Sequence, residues 1–278
     1  MSRIKNNEWI FIIWEDGEMM YKTIELKKEG RFAELMLNRP ASMNAMDEVM
    51  MRELGDAFES LQQDETVQVL LIYGAGGAFS AGGDIKKMID PNNALDIGAA
   101  MVDVSRLAKA LYNLPQITIA AVHGAAAGLG FSLALGCDFI IAEADSKLAM
   151  NFIGIGLVPD GAGHFFMKER VGVPQAKKLI WSGQVMKGKE AHKLGLADEI
   201  VGEGEAFAAG KAYAEKLLTS PIASMIATKK ILHSSKQSEL DEILRLESDM
   251  QVKMRETKDH LEGIQAFVEK RKPNFLGE

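Results

Sequence analysis

The chain of 278 residues is short of cysteine, of long apolar runs and of positive charge, and each shortage removes a class of protein. Its single cysteine, Cys137, cannot form an intrachain disulfide, which favours a reducing compartment. Apolar neighbours make that thiol a small buried hydrophobe rather than a reactive group. No stretch reaches the roughly 20 apolar residues that span a bilayer. The nearest to a leader is WIFIIW at 9–14, which is too short, runs into acidic residues and lacks a small-residue cleavage site. Lys and Arg number 32 against 39 Asp and Glu, a net charge of -7, which argues against bulk nucleic-acid binding. No Cys, His and carboxylate set has metal-site spacing, so no metal is expected. The expectation is a cytoplasmic protein with neither a membrane nor a nucleic-acid partner.

What is present suits a folded enzyme-sized body. Apolar residues make up 47% and charged ones 26%, enough for one large domain or a domain with an appendage. Alternation from Tyr21 predicts a hairpin over 23–37, and apolar spacing over 46–62 predicts a helix with one wet face. VQVLLIY at 67–73 reads as a buried strand, followed by a glycine-rich turn at 74–83. A helix over 99–114, stopped by Pro115, leads into ITIAAV at 117–122, a second buried strand. His123-Gly124 breaks it, small residues follow, and 128–135 reads as a buried helix. Short strands are predicted at 139–143 and 147–150, helices at 175–182 and 187–194, and an extended return at 195–201. Beyond Gly204 the pattern is helical: 206–218, 221–234, 239–257 and 259–270. Strands alternating with helices imply a largely parallel sheet with right-handed crossovers. The domains expected are an extension at 1–19, a core at 20–203 and a helical region at 204–278.

Three stretches carry the chemistry. In 77–86 (GAFSAGGDIK) and 117–138 (ITIAAVHGAAAGLGFSLALGCD) a strand feeds a loop crowded with glycine and alanine, where a ligand can approach the backbone itself. A helix start there offers unpaired N–H groups to negative charge. Two such units could aim two N–H groups at one oxygen, as in an oxyanion hole. The third stretch is GLVPDGAG, which holds Asp160 in a proline-glycine turn; Asp160 is either bonded to its own backbone or catalytic. The glycine loops match neither a Walker loop nor a dinucleotide fingerprint. Ser132 in GFSLA lacks the last glycine of a nucleophile elbow and reads as a helix serine satisfied by the backbone. His123 and His164 are isolated, His164 being four residues past Asp160.

In this order, AFSAGGDIKKM, AAVHGAAAGLGFSLALGCD and IGLVPDGAG resemble the signature segments of the enoyl-CoA hydratase/isomerase (crotonase) family, over roughly 21–275. The resemblance implies an α/β fold with a crotonase (ClpP/crotonase-like) spiral β-superhelix core and a C-terminal helical oligomerisation region. It implies an acyl-CoA substrate, with coenzyme A as part of the substrate and no separate cofactor, and a homo-oligomer, a trimer or dimer of trimers. By the same resemblance the N–H groups of Gly83 and Leu129 hold the thioester carbonyl, beside Gly128, and Asp160 is the catalytic carboxylate. Asn44, Ala45, Ala81, Asp84 and Ile85 match positions around adenine and pantetheine, Lys86 could meet phosphate or solvent, and Phe267 and Lys270 match a tail that reaches a neighbouring subunit's pocket. The chain departs from the pattern at the two glutamates with which hydratases handle water: Ser132 and Phe152 stand there. The resemblance therefore implies a single-carboxylate isomerase more than a hydratase. The alternatives are hydration through Asp160 alone and a non-catalytic acyl-CoA-binding homologue.

Overall fold

The computed structural model describes residues 14–15, 18–19, 21–85 and 96–278. Of the extension expected at 1–19, only two short strands fall within that range: β1 (Trp14–Glu15) and β2 (Glu18–Met19), paired antiparallel. The hairpin follows as β3 (Ile24–Glu29) and β4 (Phe32–Leu37). Helix α1 (Glu48–Gln62) begins where the Asp47 carboxylate accepts from Met50 N at 3.0 Å, a side-chain cap on an otherwise orphan amide. It leads to β5 (Val69–Gly74) and then α2 (Ile97–Tyr112), capped in the same way by Asp96 on Ala99 N.

The second half of the core is laid down by β6 (Ile117–Val122), β7 (Ala125–Ala127), α3 (Leu129–Leu135), β8 (Phe139–Glu143) and β9 (Lys147–Ala149). There follow α4 (Gly163–Ser182), β10 (Met186–Lys187), α5 (Gly188–Lys193) and β11 (Glu199–Val201). A helical tail ends the chain: α6 (Ala206–Leu218), α7 (Ile222–Ser234), α8 (Gln237–Arg255) and α9 (Lys258–Glu269).

The long sheet runs β11-β8-β6-β5-β4-β3 and is parallel except at the β3–β4 hairpin. A short sheet, β10-β9-β7, continues through single bridges, Ser80 beside Ala126 and Met46 beside Gly83. Successive turns of the chain therefore lay a strand in the long sheet and a segment in the short one, which makes the α/β core a spiral. The alternation within each strand separates two cores. Leu70, Ile72, Ala120, Val122, Ile140 and Ala142 face the side of α1 and α2, while Val69, Leu71, Ile119, Ala121 and Ile141 face α6 and α7. A parallel sheet covered on both faces needs apolar residues at every position, hence runs such as ITIAAV rather than an alternating pattern.

Two segments differ from the sequence reading. Residues 125–127 form a strand, because pairing with β9 supplies what three alanines lack in propensity. Helix α4 starts at Gly163 rather than near residue 175, with a break at Gly172 (φ 73°, ψ 160°). Among the described residues, no helix is long and apolar enough to cross a membrane, and no group of His, Cys, Asp and Glu could hold a metal ion.

Candidate active site

Two glycine-rich loops meet because neither leaves room for a side chain between them. Ser80 N donates to Ala125 O at 2.9 Å and Ala127 N donates back to Ser80 O at 3.0 Å. A Cβ on Gly130 would stand 2.6 Å from Ser80 Cβ, and one on Gly82 would stand 2.6 Å from Ala127 O. Both are closer than packed side chains allow. The loop is pinned on its other side by Met46, whose N–H donates to Gly82 O at 2.7 Å and whose carbonyl accepts from Asp84 N at 3.0 Å. In that parallel bridge the amides of Gly82 and Asp84 flank Gly83, and the Gly83 N–H is turned away from Met46. Leu129 is the first residue of α3, where an amide has no intrahelical acceptor. Among the described residues neither the Gly83 nor the Leu129 N–H has a hydrogen-bond acceptor.

Gly83 and Leu129 border one cavity of about 370 Å³, a size that suits a small-molecule site. Ala81, Asp84, Ile85, Gly128, Asp160 and Phe267 line it as well. Most of the remaining wall is apolar, including Met51, Met101, Val104, Phe152 and Leu157. Phe267 reaches the cavity of its own chain, from α9. Asn44, Ala45 and Lys270 do not line it. The Asn44 side chain, wholly buried, donates to Ala75 O and Ala78 O and accepts from Arg39 N, so it shapes the loop. Ala45 gives its carbonyl to the Arg39 guanidinium, which also meets Asp47 and Asp84 at 3.1 Å. Lys270 closes α9 in a left-handed conformation. Lys86 lies outside the described residues.

Asp160 sits on a turn packed against the start of α3. A Cβ on Gly161 would lie 2.5 Å from the Leu129 side chain, and Ser132 Oγ donates to Asp160 O at 2.8 Å. The serine is thus a structural donor. Asp160 Oδ2 accepts from Gln251 Nε2 at 2.9 Å, while Oδ1 is buried and has no partner among the described residues. Burial, and next the Glu247 carboxylate, push the Asp160 carboxyl up to about 8 against the opposing pull of Arg255 and Gln251. A carboxyl so placed exchanges protons near neutrality.

The helical tail supplies three residues that sequence reasoning did not single out: Glu247, Gln251 and Arg255, all on α8. Glu247, 3% exposed, accepts from Ala162 N at 2.8 Å, from His164 N at 3.0 Å and contacts His164 Nδ1 at 2.8 Å. It caps α4, whose own sequence lacks a capping side chain. Gln251 and Arg255 line the cavity. The signal was the inward stripe of α8, Leu240, Leu244, Glu247 and Gln251, which turns from leucine to polar residues along one face.

A sequence model described as enoyl-CoA hydratase/isomerase matches residues 27–278. The chain belongs to the enoyl-CoA hydratase/isomerase family. YhaR of Bacillus subtilis, named for the same family, is 46% identical over 246 residues, covering 88% of this chain and 96% of that protein. The 1,2-epoxyphenylacetyl-CoA isomerase of Escherichia coli is 33% identical, with 87% and 94% covered. The crystal structure of an enoyl-CoA hydratase from Mycobacterium avium subsp. paratuberculosis superposes with a TM-score of 0.83 at 29% identity, over 92% of this chain and all of that one. The spiral is accordingly the crotonase fold, and this member of the enoyl-CoA hydratase/isomerase family is an enzyme.

Proposed function

We propose that this enzyme moves a carbon–carbon double bond along an enoyl-CoA thioester, with Asp160 as its one proton-transferring residue. Asp160 takes a proton from the α carbon of a 3-enoyl-CoA, and the electron pair delocalises over the thioester and the double bond. The Gly83 and Leu129 N–H groups hold the negative thioester oxygen, each contributing on the order of 3 kcal/mol to lowering the barrier. The same carboxyl returns the proton at the γ carbon, which leaves the double bond between the α and β carbons and no change in composition. The observation that carries the reading is Asp160 itself: cavity-lining, with one oxygen unpartnered and a proton affinity near the working pH. Ser132 and Phe152, standing where hydratases of this family place glutamates, support one carboxylate over two. The name of the Escherichia coli relative, an isomerase of an epoxide-bearing acyl-CoA, supports isomerisation as the reaction class.

Incubation with a 3-enoyl-CoA and, separately, a 2-enoyl-CoA tests it. A shifted double bond is expected, and water addition with no shift would replace the reading by hydration. Binding without change in either would leave a non-catalytic acyl-CoA carrier. We further place a homo-oligomeric contact on the helical tail, where Ile231 and Leu232 of α7 and Leu261 of α9 are more than half exposed. Sedimentation showing a monomer at micromolar concentration would remove that assignment.

A further inference from the structure

Three polar atoms in one corner of the cavity are buried and lack partners among the described residues: Asp160 Oδ1, Gln251 Oε1 and Arg255 Nε. Their residues adjoin. Gln251 bonds Asp160 at 2.9 Å, Arg255 follows Gln251 one helical turn along α8, and the Arg255 charge bears on Asp160. Gln251 is 1% exposed, and its amide nitrogen is already committed to Asp160 and to Val158 O at 2.8 Å, which leaves its oxygen as a fixed acceptor. The Arg255 side chain makes no hydrogen bond or ion pair with any described residue. Buried polar groups are rarely left this way, because each forgoes the water it had when unfolded. A cavity whose wall is mostly apolar, with such a buried corner, suits a ligand that brings a polar group to that corner.

The donor and acceptor count selects the chemistry. Gln251 Oε1 is an acceptor and Arg255 Nε an N–H donor, while Asp160 Oδ1 is the oxygen left to carry the carboxyl proton. A carboxylate would turn lone pairs toward Gln251 Oε1 and add an anion beside Asp160 and Glu247. A hydroxyl meets both needs, since it donates its O–H to Gln251 and accepts from Arg255. An unsubstituted hydrocarbon chain would leave all three atoms unpaired.

Resting on the acyl-CoA reading above, we propose that Arg255 and Gln251 select acyl-CoA substrates carrying a hydroxyl on the acyl chain beyond the reacting carbons. Arg255 is then a specificity residue, in contact with the substituent and not with the atoms that react.

The test is binding of saturated thioesters, which cannot isomerise or take up water: hexanoyl-CoA, its counterparts hydroxylated on either of the last two carbons, and the counterpart ending in a carboxylate. Titration calorimetry should find one hydroxylated form bound at least about tenfold tighter than hexanoyl-CoA, roughly what one well-placed hydrogen bond is worth. In Arg255→Met that ratio should collapse toward one, and Arg255→Lys should restore part of it. Equal affinities, tightest binding of the carboxylate, or a preference that survives in Arg255→Met would overturn the proposal while leaving the double-bond assay untouched. If none of the four thioesters binds, the acyl-CoA reading falls with it. Circular dichroism of the variants separates loss of preference from loss of fold.

Discussion

Gln251 Nε2 donates to Asp160 Oδ2 at 2.9 Å across 91 residues of sequence, and donates as well to Val158 O on the same turn. With Glu247 holding Ala162 and His164, α8 grips the Asp160 turn on both sides of the carboxylate. The expected behaviour of variants follows from this grip.

Asp160→Asn keeps the size and one acceptor of the side chain but cannot carry a proton between carbons. Turnover of a 3-enoyl-CoA should fall by about 10²- to 10⁴-fold, the usual worth of a positioned base. Binding of a saturated acyl-CoA should change far less. Full turnover in the variant would remove Asp160 from the chemistry.

The pH profile has a predicted direction. A base that must be ionised, and whose carboxyl is pushed up to about 8, gives a kcat/KM that rises with pH and levels above that value. Glu247 contributes to the upward push, so Glu247→Gln should move the rising limb to lower pH and also lower the plateau through the weakened cap. If Glu247 served only to hold the helix, the plateau would drop with the limb unmoved.

Stability should move opposite to activity. Between about 4 and 8 the unfolded chain has released the Asp160 proton, starting from the ordinary value of 3.8, while the folded chain still holds it. The folded state therefore loses stability as pH rises through this window, by roughly 1 kcal/mol per pH unit, and the loss stops above the folded value. Asp160→Asn abolishes this dependence. Urea midpoints of the variant should exceed those of the parent at pH 8 and converge with them near pH 4; a constant offset would mean that Asp160 is not held protonated.

Gly130→Ala should break the contact between the loops. In most helices this substitution stabilises, but here the methyl would stand 2.6 Å from Ser80 Cβ and 2.7 Å from Ser80 O. A loss of about 1–3 kcal/mol is expected, together with a drop in kcat greater than any change in acyl-CoA affinity. A stabilised, fully active variant would show that the loops can part without cost.

Much of the core could be read from the chain because a strand buried on both faces has to be apolar at nearly every position, as residues 69–74 and 117–122 are, with the hydroxyl of Thr118 bonded to Asp138. The helix beginning at Gly163 could not. Ala162 enters it in a left-handed conformation, and its cap is a carboxylate more than eighty residues away. The site divides in the same way. Local motifs pointed to Gly83, Leu129 and Asp160, and all three line the same cavity, the Asp160 turn being held in addition by α8. Gln251 and Arg255 reach the cavity through a helix packed back on the core; the stripe of α8 marks its inward face, but no local pattern says what that face meets. Lys270, expected from a tail motif to meet a neighbouring subunit's pocket, closes α9 in a left-handed conformation in its own chain.

Because α8 follows every strand of the spiral in the chain, a nascent polypeptide on the ribosome can wind that spiral before the residues that hold Asp160 have emerged. The hold on Asp160 then forms only after the spiral. A product shortened ahead of residue 247 should remain compact yet handle no protons.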